Sequence, residues 1–160
     1  MQLSDNFLVE LYKYSLISQP FLEIANKNLQ YHFLPSEPYK RVWKEIVTIY
    51  ELFSKLPTIG VLAERLKDEP SETLDLLKQI KQCDVGDKKD MIISEFEFFL
   101  KRVMFVDLYG RVGKLYNDGK KDDAILLMAE ESEKIAAFSI KGSKYIRVFT
   151  DFESRQSQRK

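Results

Sequence analysis

The first 83 residues contain short segments in which apolar residues recur every three or four positions, and proline separates most of these segments. This spacing is typical of amphipathic α-helices. The clearest pattern predicts a helix over about 38–54, whose core-facing positions are Val42, Trp43, Ile46, Ile49, Tyr50 and Phe53. In all, the sequence predicts a head of about five short helices, near 5–18, 20–30, 38–54, just after Thr58, and 70–82.

Polar residues and prolines set the expected ends of these helices. Ser4, Ser36 and Thr58 are predicted N-caps, because their side-chain oxygens suit the free N–H groups of a first helical turn. Residues 31–37 are predicted as a loop, because Pro35 and Pro38 bracket them and each disfavours helix in the residue before it. The first helix is expected to bury Phe7, Leu8, Leu11 and Tyr14, and the short helix after Thr58 to carry Val61, Leu62 and Leu66.

A different pattern begins near Lys89. No proline occurs between Lys89 and Tyr116, and the apolar spacing predicts one helix of about 28 residues, roughly 40 Å long. A turn signal at 117–119 then precedes a second helix near 121–139, with one face formed by Ile125, Met128, Ala129, Ile135 and Ala136. The predicted fold class is all-α: a helical head over 1–83, a long antiparallel helical hairpin over 84–140, and a C-terminal linker helix within 141–160.

The long helix carries more apolar surface than one returning helix covers. One row repeats every seven residues and consists of Ile92, Phe96, Phe99, Val103, Val106, Gly110 and Gly113. A second row, about 100° around the helix, consists of Phe98, Phe105, Tyr109, Val112 and Tyr116, and Leu100, Met104, Leu108 and Leu115 widen the surface. Exposed apolar stripes of this size are unusual in soluble monomers. The sequence therefore predicts self-association through Phe96, Phe98, Phe99, Val103, Phe105, Val106, Tyr109, Gly110, Val112, Gly113 and Tyr116.

Two alternatives remain open for this region. In one, the head folds back over the second row, which gives a monomeric bundle rather than an oligomer. Gly110 and Gly113 each cost roughly 1 kcal/mol relative to alanine inside a helix, so they indicate close approach of a neighbouring helix or a kink.

The last twenty residues combine a basic charge with a short apolar stripe. They contain six Lys or Arg and two acidic residues, so this tail is +4 and the remainder, in a neutral chain, is −4. Tyr145, Val148, Phe149 and Phe152 lie at i, i+3, i+4 and i+7, which predicts a docking helix or one that packs on its own hairpin. The basic charge supports an alternative function, a free-standing nucleic-acid-binding or regulatory protein that uses residues 141–160.

Residues that carry out chemistry are scarce. Cys83 and His32 are the only cysteine and histidine, so an internal disulfide and a two-histidine zinc site are excluded. A Ser-His-Asp triad or a Cys-His pair would have to use these two residues, which lie far apart in the sequence. Residues 110–114 lack the spacing and the Ser/Thr of a phosphate-binding loop. We predict no catalytic residue, no metal site and no cofactor. The start lacks a signal-peptide pattern and no run is long enough to span a membrane, which predicts a cytoplasmic protein.

The order of the apolar motifs resembles a known family. Leu8 and Leu11 are followed by motifs at 19–22 and 32–34, then by Val42-Trp43 and the Leu56-Pro57-Thr58-Ile59 stretch, and finally by the hairpin pattern. This succession resembles the N-terminal domain of DnaB-type hexameric replicative DNA helicases, in particular the phage-like branch. Residues 70–82 lack the Gly-Gly-x-x-Tyr-Leu stretch usual in cellular members.

The resemblance implies a role in assembly. Hairpins of such domains pair between subunits, so the expected state is a homo-oligomer, a dimer or a trimer of dimers, that docks a primase or a helicase loader. The segment with Tyr145 and Phe152 corresponds to the linker helix, which packs on an adjacent motor domain. ATP and magnesium belong to that motor domain, not to these residues, and DNA is contacted only through the parent helicase. The family is cytoplasmic and encoded by bacteria or phages.

Overall fold

The computed structural model describes residues 1–140, and within them the chain forms seven α-helices and no strand, which confirms the all-α class. By contact density the chain divides into two compact units, Met1–Ile92 and a second that begins at Ile93. The helices are α1 (Asp5–Ile17), α2 (Gln19–Asn28), α3 (Glu37–Phe53), α4 (Ile59–Arg65), α5 (Ser71–Gln82), α6 (Lys89–Asn117) and α7 (Lys121–Ala137). Short 3-10 turns lie at Tyr31–Phe33, inside the predicted loop, and at Gly86–Lys88.

Three helices of the first unit begin with a hydroxyl cap. The side chains of Ser4, Ser18 and Thr58 each accept a hydrogen bond from the backbone N–H three residues further on, at 3.2–3.3 Å. Ser36 also stands at the N-cap position of α3, but its side chain makes no capping hydrogen bond. Local sequence therefore specifies where most of these helices start.

The core of the first unit is built around Tyr12 on α1. Its ring stacks on Trp43 at a centroid distance of 5.1 Å, and its hydroxyl donates a 2.8 Å hydrogen bond to the backbone oxygen of Tyr39. Burial, together with the neighbouring Tyr39 and Tyr31, raises the pKa of Tyr12 well above its ordinary value. Because the hydroxyl has a backbone acceptor, this polar group is buried without the cost of an unmade hydrogen bond.

The face that α1 buries differs from the predicted one. Leu8 and Leu11 are buried as expected, but Phe7 and Tyr14 are only half-buried, while Val9, Tyr12 and Ser15 complete the buried set. Tyr14 instead stacks on Phe21 of α2 at a centroid distance of 4.1 Å. The helix packs against several neighbours and so buries more than one narrow stripe.

A charged network lies between α3 and α4. The Glu45 side chain is 7% exposed and accepts hydrogen bonds from Arg41, at 2.9 Å, and from Arg65 of α4. Arg41 also pairs with Glu69, just before α5, at 2.7 Å. Burial raises the pKa of Glu45, but the hydrogen bonds and charges of Arg65 and Arg41 outweigh this and leave the pKa below its ordinary value. Glu45 is therefore a buried, ionised link between helices.

In the second unit, hydrogen bonds connect α6 to α7 and to the residues after it. Lys101 donates from Nζ to the backbone oxygen of Ala136 at 3.2 Å, and the backbone N–H of Ile140 donates to Glu97 at 2.9 Å. Each bond joins residues equally far along the chain from the turn at 118–119, where Gly119 has a φ of +81°.

The buried face of α7 is not the predicted one. Ile135 is buried, but Ile125 is 69% exposed, and Ala129 and Ala136 are exposed as well. The other buried positions are Ala124 and Glu131, and Lys134 pairs with Glu131 at 3.3 Å. The apolar pattern of α7 predicted the wrong face because the carboxylate of Glu131 lies on the buried side of the helix.

Candidate functional site

The structure places the eleven predicted interface residues in three environments. Two of them, Phe96 and Phe99, are buried. Three are intermediate in exposure, namely Val103, Val112 and Gly113. The exposed ones are Phe98, Phe105, Val106, Tyr109, Gly110 and Tyr116. The surface available for association is therefore centred on the second predicted row rather than on the seven-residue seam.

Four exposed aromatic residues form one line along α6, which we call the aromatic stripe: Phe98, Phe105, Tyr109 and Tyr116. Phe98 and Tyr109 have the most exposed rings, at 66% and 68%, and Phe105 and Tyr116 are at least half exposed. At 3.6 residues per turn the four positions fall within a sector of about 40°, and they span about 27 Å of helix. Half-buried Val112 lies beside this line.

The opposite side of α6 forms its buried ridge. The residues on it are Phe96, Leu100, Met104 and Leu108, four positions apart. The predicted seam instead continued through Val106 and Gly110, which are exposed. The two lines diverge around the helix: the four-residue spacing of the buried ridge advances by about 40° per step, whereas the seven-residue repeat falls back by about 20° per heptad, so Val106 and Leu108 are about 160° apart.

Gly110 and Gly113 leave open space on one flank of α6, about 120° and 60° around the helix from the centre of the aromatic stripe. A Cβ atom added to either glycine meets no neighbouring atom within 4 Å. The close approach of a helix that these glycines indicated is therefore not supplied by residues 1–140. Of the two, Gly113 lies nearer to the exposed rings, and bare backbone there is a surface that a helix from another molecule can approach closely.

Charges on α6 lie mostly away from the aromatic stripe. Arg111 pairs with Asp107 at 3.0 Å, and Lys101 lies 3.9 Å from Glu97, both pairs being one helical turn apart. Arg102 is exposed and lies beside the stripe, about 40° from its centre on the side opposite Val112. At the other end of the stripe, Lys121 Nζ lies 5.2 Å from the centre of the Tyr116 ring, so the stripe is an apolar surface with a cation near each end.

The single histidine and the single cysteine, His32 and Cys83, both lie in the part of the chain that the structure describes. Residues 1–140 contain no group of three or more His, Cys, Asp or Glu arranged for a metal ion. His32 is exposed and lies edge-on to Phe33 at 4.5 Å. Burial, with the Glu10 charge adding to it, raises the pKa of the Cys83 thiol, which disfavours the reactive thiolate. None of the described helices is both long and apolar enough to cross a membrane.

A second apolar surface lies on the first unit, at the end of α3. A groove of about 420 Å³ is lined by Ile49, Phe53, Leu56, Pro57 and Val61, among others. Phe53 was predicted to face the core but is 61% exposed, and Val61 is exposed as well. Ser54 ends α3 in the left-handed conformation, with φ +55°, and the chain turns away before Phe53 is covered.

The predicted linker-docking residues Tyr145, Val148, Phe149 and Phe152 lie outside the described residues. The same holds for the basic charge of 141–160. Comparisons with protein-family models, with curated proteins and with solved structures gave no match. The function of this chain is therefore inferred from the surfaces of residues 1–140 and from the sequence resemblance.

Proposed function

We propose that this chain is a non-catalytic association module in which α6 and α7 form an antiparallel hairpin and the aromatic stripe binds a second copy. The observation that carries the proposal is the exposure of Phe98, Phe105, Tyr109 and Tyr116 along one line of α6. The paired contacts of Lys101 with Ala136 and of Glu97 with Ile140 support the hairpin.

The exposed area suits a reversible contact between proteins. A Phe or Tyr side chain buries about 150–250 Å², so four rings that are half to two-thirds exposed offer on the order of 500 Å² per copy. Two copies then bury on the order of 1,000 Å², which is near the lower limit for a specific interface. We therefore expect association in the micromolar range rather than a permanent dimer.

The wider proposal is that the module acts in a replicative helicase of the DnaB type. The resemblance in motif order supports this, as does the all-α fold. In that role the paired modules form a collar and dock a primase or a loader. The proposal assigns ATP hydrolysis and DNA translocation, with their magnesium, to a separate motor domain.

Self-association is tested by light scattering coupled to size exclusion over a range of concentrations. We expect the molar mass of the wild-type chain to rise from that of a monomer toward that of a dimer or larger oligomer. The double substitution Phe98→Ser with Tyr109→Ser removes the two most exposed rings of the stripe and should keep the chain monomeric. Leu52→Ser is the matched control, because Leu52 is 65% exposed but lies on α3.

A wild-type chain that stays monomeric at several hundred micromolar contradicts the proposed association, as does a stripe variant that associates like the control. The helicase role is tested at the gene. A reading frame that continues beyond Lys160 into a Gly-x-x-x-x-Gly-Lys-Ser/Thr loop supports it, whereas a stop codon leaves a free-standing association module.

A further inference from the structure

A hollow of about 300 Å³ lies between the starts of α3 and α5, within the first unit. Two prolines, Pro38 and Pro70, supply apolar surface to it. The rest of its lining is polar and consists of Glu37, Arg41, Glu69, Glu72 and Thr73. The volume is at the small end of the range for ligand sites, so the hollow suits one long side chain rather than a whole helix.

The charge of the hollow is negative. Its lining carries three carboxylates and one arginine, a formal charge of −2. The arginine is already matched, because Arg41 donates to Glu69 at 2.7 Å and to Glu45 at 2.9 Å. Glu72 is exposed and forms no ion pair within residues 1–140. The hollow therefore attracts a cation and repels an anion.

A buried hydroxyl group provides evidence that is independent of the charge. Carboxylates in a first helical turn are favoured by the helix dipole, so Glu37 and Glu72 alone do not indicate a ligand. Thr73 also lines the hollow and is only 3% exposed. Its backbone N–H donates to the Pro70 oxygen at 3.0 Å, but its hydroxyl has no hydrogen-bond partner within residues 1–140. Since buried hydroxyls are normally paired, a polar group that enters the hollow would complete this one.

We propose that this hollow binds the side chain of an arginine from a partner protein. The methylene stem of the arginine packs on Pro38 and Pro70, as long cationic side chains do on apolar surface. The guanidinium donates to the Glu72 carboxylate and to the Thr73 hydroxyl. Its five N–H donors form a planar fork, so one group serves both acceptors. The site lies away from the aromatic stripe and does not depend on self-association.

Binding is tested by nuclear magnetic resonance on the isotope-labelled full chain, titrated with N-acetyl-arginine amide. The signals of Thr73 should shift and reach saturation, whereas N-acetyl-citrulline amide, which has nearly the same shape and no charge, should leave them in place. Glu72→Gln should weaken binding about twofold to fivefold, as expected for an exposed ion pair. Asp75→Asn is the matched control, because it removes an exposed carboxylate from the same helix outside the hollow and should leave the affinity unchanged.

Thr73→Val separates a ligand site from a merely structural role. It should weaken binding about threefold to tenfold, because the acceptor for the guanidinium is lost. Its midpoint of thermal unfolding should stay the same or rise, since no hydrogen bond within the chain is removed. A clearly lower midpoint shows that the folded chain already pairs this hydroxyl and overturns the proposal. Equal binding of the citrulline derivative overturns it as well, as does equal weakening by Asp75→Asn.

The source of the arginine is tested with the basic tail, which has arginines of its own. Replacing Arg147, Arg155 and Arg159 with glutamine should leave the affinity for N-acetyl-arginine amide unchanged. Tighter binding in this variant shows that the chain's own tail competes for the hollow, which contradicts the assignment to a partner protein.

Discussion

Replacing Gly110 and Gly113 by alanine should stabilise the folded chain and weaken its association. Alanine is favoured over glycine inside a helix by about 1 kcal/mol. Neither added methyl group meets an atom within 4 Å, so no clash offsets this gain. The double variant should therefore be more stable by about 2 kcal/mol, which for a chain of this size raises the midpoint of thermal unfolding by about 4–8 °C.

The assay combines thermal unfolding, followed by circular dichroism at low micromolar concentration, with sedimentation equilibrium at higher concentration. Gly119→Ala is the matched control. Its added methyl group also meets nothing within 4 Å, but φ at Gly119 is +81°, so alanine there should destabilise the chain by about 1–2 kcal/mol. Comparing the two variants therefore distinguishes the effect of steric space on stability from the effect of the backbone φ angle.

Two results would refute this reasoning. A loss of stability in the Gly110 and Gly113 variant means that the chain itself crowds these positions. An unchanged or tighter dimer means that no second helix approaches the backbone beside the aromatic stripe. In the latter case the glycines have no role in association.

Further predictions concern the first unit. Glu45→Gln should destabilise it by about 1–3 kcal/mol, less than for a fully buried pair because water still reaches Arg41 and Arg65; urea unfolding at neutral pH measures this. The pKa of Glu45 is lowered in the folded state, so its contribution to the free energy of unfolding is present above its ordinary pKa and is lost as the pH falls through the folded pKa. The urea midpoints of wild type and Glu45→Gln should therefore converge at acid pH. A difference in midpoint that stays constant with pH contradicts this. Tyr12→Phe removes the donor to the Tyr39 backbone oxygen and should cost about 1–2 kcal/mol in urea unfolding, whereas no loss would show that the bond contributes nothing net.

The helices themselves were well specified by local sequence. Proline and hydroxyl residues mark helix starts in the first unit, and the predicted end of α3 lies within a residue of its observed end at Phe53. The 3-10 turn within 31–37 was missed, because a single short turn produces no repeating pattern.

Burial was harder to predict than helix position. Glutamate is usually found at the surface, and the burial of Glu45 becomes favourable because Arg65 of another helix donates a hydrogen bond to it. Ile125 and Phe53 fit core patterns, yet no described element covers them. These outcomes depend on which helices pack together, and the periodicity of one segment does not contain that information.

The sequence correctly placed an exposed apolar surface on α6, but the exposed residues are mainly those of the second predicted row rather than those of the seven-residue row. The sequence showed that α6 has apolar residues around most of its circumference, so one side had to remain uncovered. It assigned Phe96 and Phe99 to the association surface although both are buried, because the helical wheel alone does not show which side the chain covers.

Because α6 buries Phe96 and Leu100 while it exposes Phe98, neighbouring residues of one helix are under two different constraints: the inner ones maintain the fold, and the outer ones maintain association. Truncation at the inner positions opens cavities and should lower the amount of protein that accumulates in a cell. Truncation at the outer ones should leave abundance intact and act only when copies meet. A deep mutational scan of this helix should therefore show two interleaved bands of sensitivity, one in a readout of protein level and the other in a readout of complex formation.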